Sequence, residues 1–226
     1  MITIYKIIIS TTILALLTTY APKEIKITQK KDFFFRIKKI EIINNKKINK
    51  STIIKKINYV YDKNIFFIKK RNLEQAMNHT NFLEKIEIKK KYPNTLIIKV
   101  YETNPIAILY KDNVKFIIDN LSNLILYDKN IYLNDLPNVF GENSELNFVK
   151  FYNLLKREKF PIERINNYYY FQVNRWDVKL LNDQTIKYSS FKTKESIKQS
   201  VKLLLRDDFK NYDTIDLRIY GNIVVE

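Results

Sequence analysis

Cysteine is absent from the 226-residue chain, which excludes a disulfide framework and a thiol nucleophile and leaves the redox compartment undetermined. Its two glycines, Gly141 and Gly221, stand too far apart for a Gly-rich phosphate loop or a dinucleotide fingerprint. One histidine without cysteine cannot build the usual zinc sites, so His79 reads as a helix-end residue beside free carbonyls. No serine has the setting of a nucleophile elbow. The Asp207-Asp208 pair, close to Lys210, reads as solvated surface, and the lone Trp176 reads as strand core. Five prolines leave almost no linker. These absences give no catalytic, metal-binding or cofactor-binding residue and no small-molecule substrate. The chain is not organised as an enzyme.

What is present is apolar and basic. Hydrophobic residues make up 46% of the chain, enough for packed cores, and the formal charge is +16. The excess is uneven: residues 33–102 hold 17 Lys/Arg against 6 Asp/Glu, whereas residues 103–226 hold 18 against 16. Lysine on solvated faces explains most such runs. Contact with anionic lipid headgroups is a second reading, because a polybasic surface gains about 1 kcal/mol per charge there. Nucleic acid is a third, but no recognised binding fold accompanies the charge, so none is expected as a partner.

Ile2 to Ala21 is apolar apart from Lys6 and several hydroxyl residues. Twenty helical residues would rise about 30 Å, the thickness of a hydrocarbon core. Ile7, Ile8, Ile9, Ile13, Leu14, Leu16 and Leu17 are the candidate anchor, with Lys6 snorkelling toward the headgroups. A cleavable signal peptide is the competing reading, although Pro22 after Ala21 disfavours cleavage there.

Arg36 to Ile43 reads as a strand. Ser51 then starts a helix with Ile53, Ile54, Ile57, Val60 and Tyr61 on one face, and a second helix carries Leu73, Ala76 and Met77. Ile86, Ile88 and Tyr92 alternate with charged residues, a turn at Pro93-Asn94-Thr95 follows, and Leu96, Ile98 and Val100 face inward on the return. Strand, helix, helix, strand, strand is the order of a POTRA module, and the wording is closer still. Asn64-Ile65-Phe66 before the second helix, Tyr92 to Val100 (YPNTLIIKV) and Glu102 to Ala107 (ETNPIA) resemble the POTRA domain of the FtsQ/DivIB cell-division family. LPNVFGENSE (Leu136 to Glu145), RWDVKLLNDQTIKY (Arg175 to Tyr188) and YDTIDLRIYGNIVV (Tyr212 to Val225) resemble later pieces of that family, in the same order.

Beyond Pro105 the pattern predicts strands at Ile106 to Tyr110, Val114 to Ile118, Tyr168 to Val173, Trp176 to Leu181 and Thr185 to Tyr188. A helix over Leu146 to Lys156 presents Leu146, Val149, Asn153 and Leu154. Thr193 caps another with Ile197, Val201, Leu204 and Leu205 inward. Thr214 to Tyr220 alternates Ile215, Leu217 and Ile219 with Asp216 and Arg218, and Gly221 supplies the reversal into Asn222 to Glu226. That last strand, uncovered, is the binding candidate: Tyr220, Asn222, Ile223, Val224 and Val225.

The expected class is α+β: an N-terminal membrane helix, a POTRA domain, then a mixed α/β second domain whose antiparallel sheet ends in an edge strand. The divisions are 1–6 (cytoplasmic start), 7–22 (anchor), 23–34 (linker), 35–103 (POTRA) and 104–226 (second domain). The resemblance implies a non-catalytic scaffold of the division machinery, single-pass in the inner membrane with its bulk on the periplasmic side. It also implies partners of the FtsB and FtsL type and no cofactor. An outer-membrane assembly or secretion factor is the alternative, but it would need a β-barrel for which no strands remain. A basic nucleic-acid-binding protein is the other.

Overall fold

A computed structural model describes residues 2–19, 34–128, 135–219 and 221–226. Helix α1 (Ile2–Thr19) has 18 residues and is apolar apart from Lys6 and several hydroxyl residues. It starts five residues before the expected anchor, whose residues 20–22 lie outside the described residues. Ile7, Ile8, Ile9, Ile13, Leu14, Leu16 and Leu17 all lie in it, each more than half exposed. Thr11 and Thr12 hydroxyls donate to the carbonyls of Ile7 to Ile9 at 2.7–3.0 Å, which lowers the cost of placing them in an apolar setting. The helix rises about 27 Å, just under a hydrocarbon core of about 30 Å. No helix among the described residues is long and apolar enough to cross a membrane.

The first globular module sets α2 (Lys50–Ile57) and α3 (Lys70–Met77) against a sheet of β1 (Lys39–Ile43), β2 (Leu83–Lys91) and β3 (Thr95–Glu102). The sheet order is β1-β3-β2, with β1 parallel and β2 antiparallel to β3. Ile53, Ile57, Leu73 and Met77 of the helices meet Ile86, Leu96, Ile98 and Val100 of the sheet, all buried. The strand period and the helical period therefore converge on one core. Two local expectations shift. Asn49, not Ser51, caps α2, its side chain accepting from the Ser51 amide at 3.0 Å. Strand β1 begins at Lys39 rather than Arg36, because Ile37 exchanges backbone bonds with Asp62 and Lys63 instead of β3.

Glu102, the last residue of β3, fastens the loop after β1. Its carboxylate accepts from the amides of Lys46, Lys47 and Ile48 at 2.7–2.9 Å. Charge-assisted bonds of this kind are among the stronger ones in proteins, which gives the glutamate of the ETNPIA run a structural reason to be there.

The second sheet has nine strands. They are β4 (Pro105–Lys111), β5 (Val114–Asp119), β6 (Leu124–Leu126), β7 (Asn138–Phe140), β8 (Ile165–Phe171), β9 (Arg175–Leu180), β10 (Thr185–Tyr188), β11 (Thr214–Leu217) and β12 (Val224–Val225). Their order is β12-β11-β10-β9-β8-β7-β4-β5-β6. The sheet is mixed, not purely antiparallel: β7 runs parallel to β4 and β8, and β10 runs parallel to β11. Ile117 of β5 and Ile125 of β6 also enter the first module's core. The two modules thus share apolar contact at their junction.

Helices α4 (Phe148–Arg157) and α5 (Thr193–Leu203) supply apolar side chains to the second core, where they join Leu109, Val139, Tyr168, Val178, Ile186 and Ile215 of the sheet. The buried face of α4 is Phe148, Phe151 and Leu155. The expected Leu146 is 76% exposed, because it belongs to the 3₁₀ turn Ser144–Leu146 and the helix starts two residues later. Thr193 is the first residue of α5 rather than its cap, and its hydroxyl donates to the Ser189 carbonyl at 2.8 Å. Leu205 lies past the helix end and is exposed. Trp176 is buried, stacked on Phe151 at 5.0 Å with the rings 5° apart.

Candidate partner-binding edge

Strand β12 is the outermost member of the nine-stranded sheet, hydrogen-bonded to β11 alone among the described strands. The two run antiparallel, with Ile215 opposite Val225 and Asp216 opposite Val224. Thr214 and Glu226 exchange both backbone bonds, at 3.1 Å each. Antiparallel pairs alternate bonded and non-bonded positions, so Val224 bonds inward to β11. The N–H and C=O of Val225 point outward. That is a backbone template for one more strand.

Side chains around this template follow the pleat. Val225 stands beside buried Ile215, on the side of the sheet that faces the helices. Val224 stands beside Asp216 on the other side, with Ile223 39% and Val224 52% exposed. Gly221, at φ +86° with open space around its Cα, makes the reversal. A shallow concavity of about 290 Å³ is lined by Asp216, Arg218, Ile219, Asn222 and Val224. Of the five expected binding residues, Asn222, Ile223, Val224 and Val225 therefore sit together on the edge, while Tyr220 lies outside the described residues.

A polar row leads to this edge on the face turned away from the helices. Tyr169 of β8 opposes Asp177, Asp177 opposes Lys187, Lys187 opposes Asp216, and Asp216 opposes Val224. Farther in, Tyr110, Phe140 and Tyr169 stack at 4.9 and 5.4 Å, and Lys115 caps the Tyr110 ring. Arg218 donates to both oxygens of Asp216 at 2.8–2.9 Å, and Arg175 donates to Asp177 while its guanidinium covers the Phe171 ring. Sequence alternation flagged the Asp216/Arg218 pair. The rest of the row depends on register between strands that are distant in sequence.

The two acids titrate in opposite senses. Burial pushes the Asp177 carboxyl up, and the nearby charges of Arg175, Lys187 and Arg218 only partly offset it. For Asp216 burial also pushes upward, but bonds from the Arg218 side chain and backbone, with the charges of Arg218 and Lys187, outweigh it and hold the carboxyl down. A raised native value gives stability that is present below the unfolded-state pKa, about 3.9, and lost as pH rises through the native value. A lowered one gives stability present above that value and lost as pH falls. Asp177→Asn should therefore gain on the parent chain as pH rises from about 3 to 7. Asp216→Asn should be worse than the parent at neutral pH and approach it in acid. Urea titrations across that range check both, and equal slopes for the two variants would contradict the assignment.

Among the described residues, no group of three or more His, Cys, Asp and Glu side chains could hold a metal ion.

Comparison with known proteins bears on most of the chain. Residues 35–103 match the family model "POTRA domain, FtsQ-type". The chain is 25% identical over 195 residues to the cell division protein FtsQ of Rickettsia bellii, covering 85% of this chain and 72% of that one. It is 26% identical over 188 residues to FtsQ of Rickettsia prowazekii, covering 81% and 69% respectively. Cell division protein DivIB of Clostridium tetani is 32% identical over 87 residues, 38% of this chain and 33% of that one. With a two-helix, three-strand module over the matched residues and the larger sheet following it, residues 35–103 form an FtsQ-type POTRA domain and the chain is similar to the FtsQ/DivIB cell division proteins.

Proposed function

We propose that this chain is a non-catalytic scaffold of the bacterial division machinery, and that it captures other division proteins by letting a partner segment add to β12. One observation carries the reading: β12 is the outer strand of the sheet, with the backbone groups of Val225 turned away from β11. Strand addition takes affinity from main-chain hydrogen bonds and specificity from flanking side chains. Ile223, Val224 and the Asp216/Arg218 pair supply those side chains here.

Residues 7–19 of α1, which rise about 20 Å, are the proposed single-pass anchor in the inner membrane, with residues 1–6 cytoplasmic and the two modules periplasmic. A span this short is accommodated by local thinning of the bilayer and by Lys6 reaching for the headgroups. Partners of the FtsB and FtsL type, themselves membrane proteins, would then meet the edge outside the cytoplasm. A fluorescent fusion should gather at mid-cell in dividing cells and stay with inner membrane after a high-salt wash. Uniform signal around dividing cells, or release by salt, would contradict the proposal.

A further inference from the structure

The first module carries an aromatic cluster in which only Phe35 packs against the core, and neither the core nor the β12 edge explains the exposed rings around it. Phe34 meets Phe35 edge-on at 5.9 Å, Phe35 meets Phe66 at 4.9 Å, and Phe66 stacks on Tyr92 at 5.0 Å. Phe67 stands next to them and is 80% exposed, while Phe34, Phe66 and Tyr92 are each at least half exposed. The rings come from three irregular segments: the entry at 34–36, the 3₁₀ turn Ile65–Phe67 and the turn after β2. Backbone bonds hold the three together, from the Ile65 amide to the Phe35 carbonyl and from the Lys38 amide to the Asn94 carbonyl. The cluster is therefore a built end of the module rather than scattered surface residues.

Its charge is one-sided. Residues 34–41, 62–71 and 90–94 hold nine Lys/Arg against two acids, Glu41 and Asp62. Glu41 is already paired with Lys39 at 2.7 Å, and Lys90 lies over the cluster, its ammonium donating to the Phe66 carbonyl at 2.9 Å. Aromatic rings flanked by cations match the bilayer interface, where rings settle at headgroup depth and ammonium groups meet phosphates. The tether fits as well. Only residues 20–33 separate Thr19 of α1 from Phe34, so this end lies within about 50 Å of the helix end even with the chain fully extended.

We infer that the first module docks this aromatic-basic end onto the surface of an anionic phospholipid bilayer, with Phe67 and its neighbours inserted at headgroup depth. The inference rests on α1 being the membrane anchor, and its test separates the two. The full chain is placed in bilayer discs made with bromine-labelled phosphatidylcholine, with or without phosphatidylglycerol. Trp176 is buried in the second module and sets the baseline emission.

In Phe67→Trp the added indole should be quenched at least twofold and shifted to the blue when phosphatidylglycerol is present. Most of that quenching should vanish in high salt, in discs lacking phosphatidylglycerol, or when Lys63→Glu and Lys90→Glu are added. A companion Leu16→Trp variant reports the anchor. Quenching at position 16 without quenching at 67 overturns the docking and leaves the anchor standing. No quenching at either overturns both. Equal quenching at 67 in phosphatidylcholine alone removes the anionic requirement and contradicts the inference. So does a concentration-dependent blue shift at 67 without lipid, which would mean that a second copy covers the rings.

Discussion

Gly141→Ala is expected to destabilise the second module by about 2–6 kcal/mol, against a total of about 5–15 for an ordinary domain. Gly141 follows β7 and sits at φ +117°, in a region that side-chain-bearing residues rarely adopt. A Cβ there would lie 2.3 Å from the carbonyl oxygen of Tyr170 on β8. That atom belongs to the strand backbone, so relief requires moving β8 and the Tyr170 ring, which packs on Trp176 at 4.8 Å. Strain and overpacking therefore add. Gly221→Ala provides the contrast: its φ is also positive, at +86°, but nothing lies within 4 Å. It should cost only the backbone term, about 1–2 kcal/mol. Chemical unfolding of the two variants checks this, and similar midpoints for both would remove the steric argument.

Legibility in the sequence followed the range of the interactions. The hairpin of β2 and β3 is readable because Ile86 and Ile88 alternate with charged residues and Leu96, Ile98 and Val100 recur at every second position after a Pro-Asn turn, all within twenty residues. The helix pair was readable from Ile53, Ile57, Leu73 and Met77, although the cap at Asn49 was displaced by a serine that is also a good cap former. Strand β7 gave no period at three residues. Its place between β4 and β8 comes from parallel pairing with partners about thirty residues away on either side. The parallel pairings that make the second sheet mixed are hidden from the sequence for the same reason. Around α4 the apolar positions Leu146, Val149 and Leu154 compete with Phe148, Phe151 and Leu155, and the stacking of Phe151 on Trp176, with edge-on contacts to Tyr168, selects the aromatic set.

At the edge, the alternation of Ile215 and Leu217 with Asp216 and Arg218 marked a one-sided strand, and β12 indeed lies outside it. The polar row that leads to it, through Lys187 and Asp177, is assembled from β9, β10 and β11 and leaves no local trace. The aromatic end of the first module was equally hidden. Phe34, Phe66 and Tyr92 look like unrelated apolar residues until the fold gathers them.

The second large effect is expected on partner capture. Val225→Pro deletes an outward N–H, which the β11 pairing does not use, and should weaken binding of a strand-adding partner at least tenfold, about 1.4 kcal/mol. Ile223→Pro should act alike if the chain stays extended there. Val224→Pro is the less clean choice, because the Val224 N–H faces β11 and its loss disturbs β12 itself. Unfolding midpoints of the 223 and 225 variants should stay near that of the parent, since the core contacts of Ile215 and Leu217 are untouched. Retained capture by the Val225 variant would exclude backbone pairing at this position.

Amide hydrogen exchange at Val225, measured with and without an extracytoplasmic segment of an FtsB-type partner, tests the central claim most directly. Strand addition predicts that this outward amide, fast in the free chain, becomes strongly protected in the complex, while the inward amide of Val224 changes little. If the partner binds and the Val225 amide exchanges as fast as before, the edge is not where it docks.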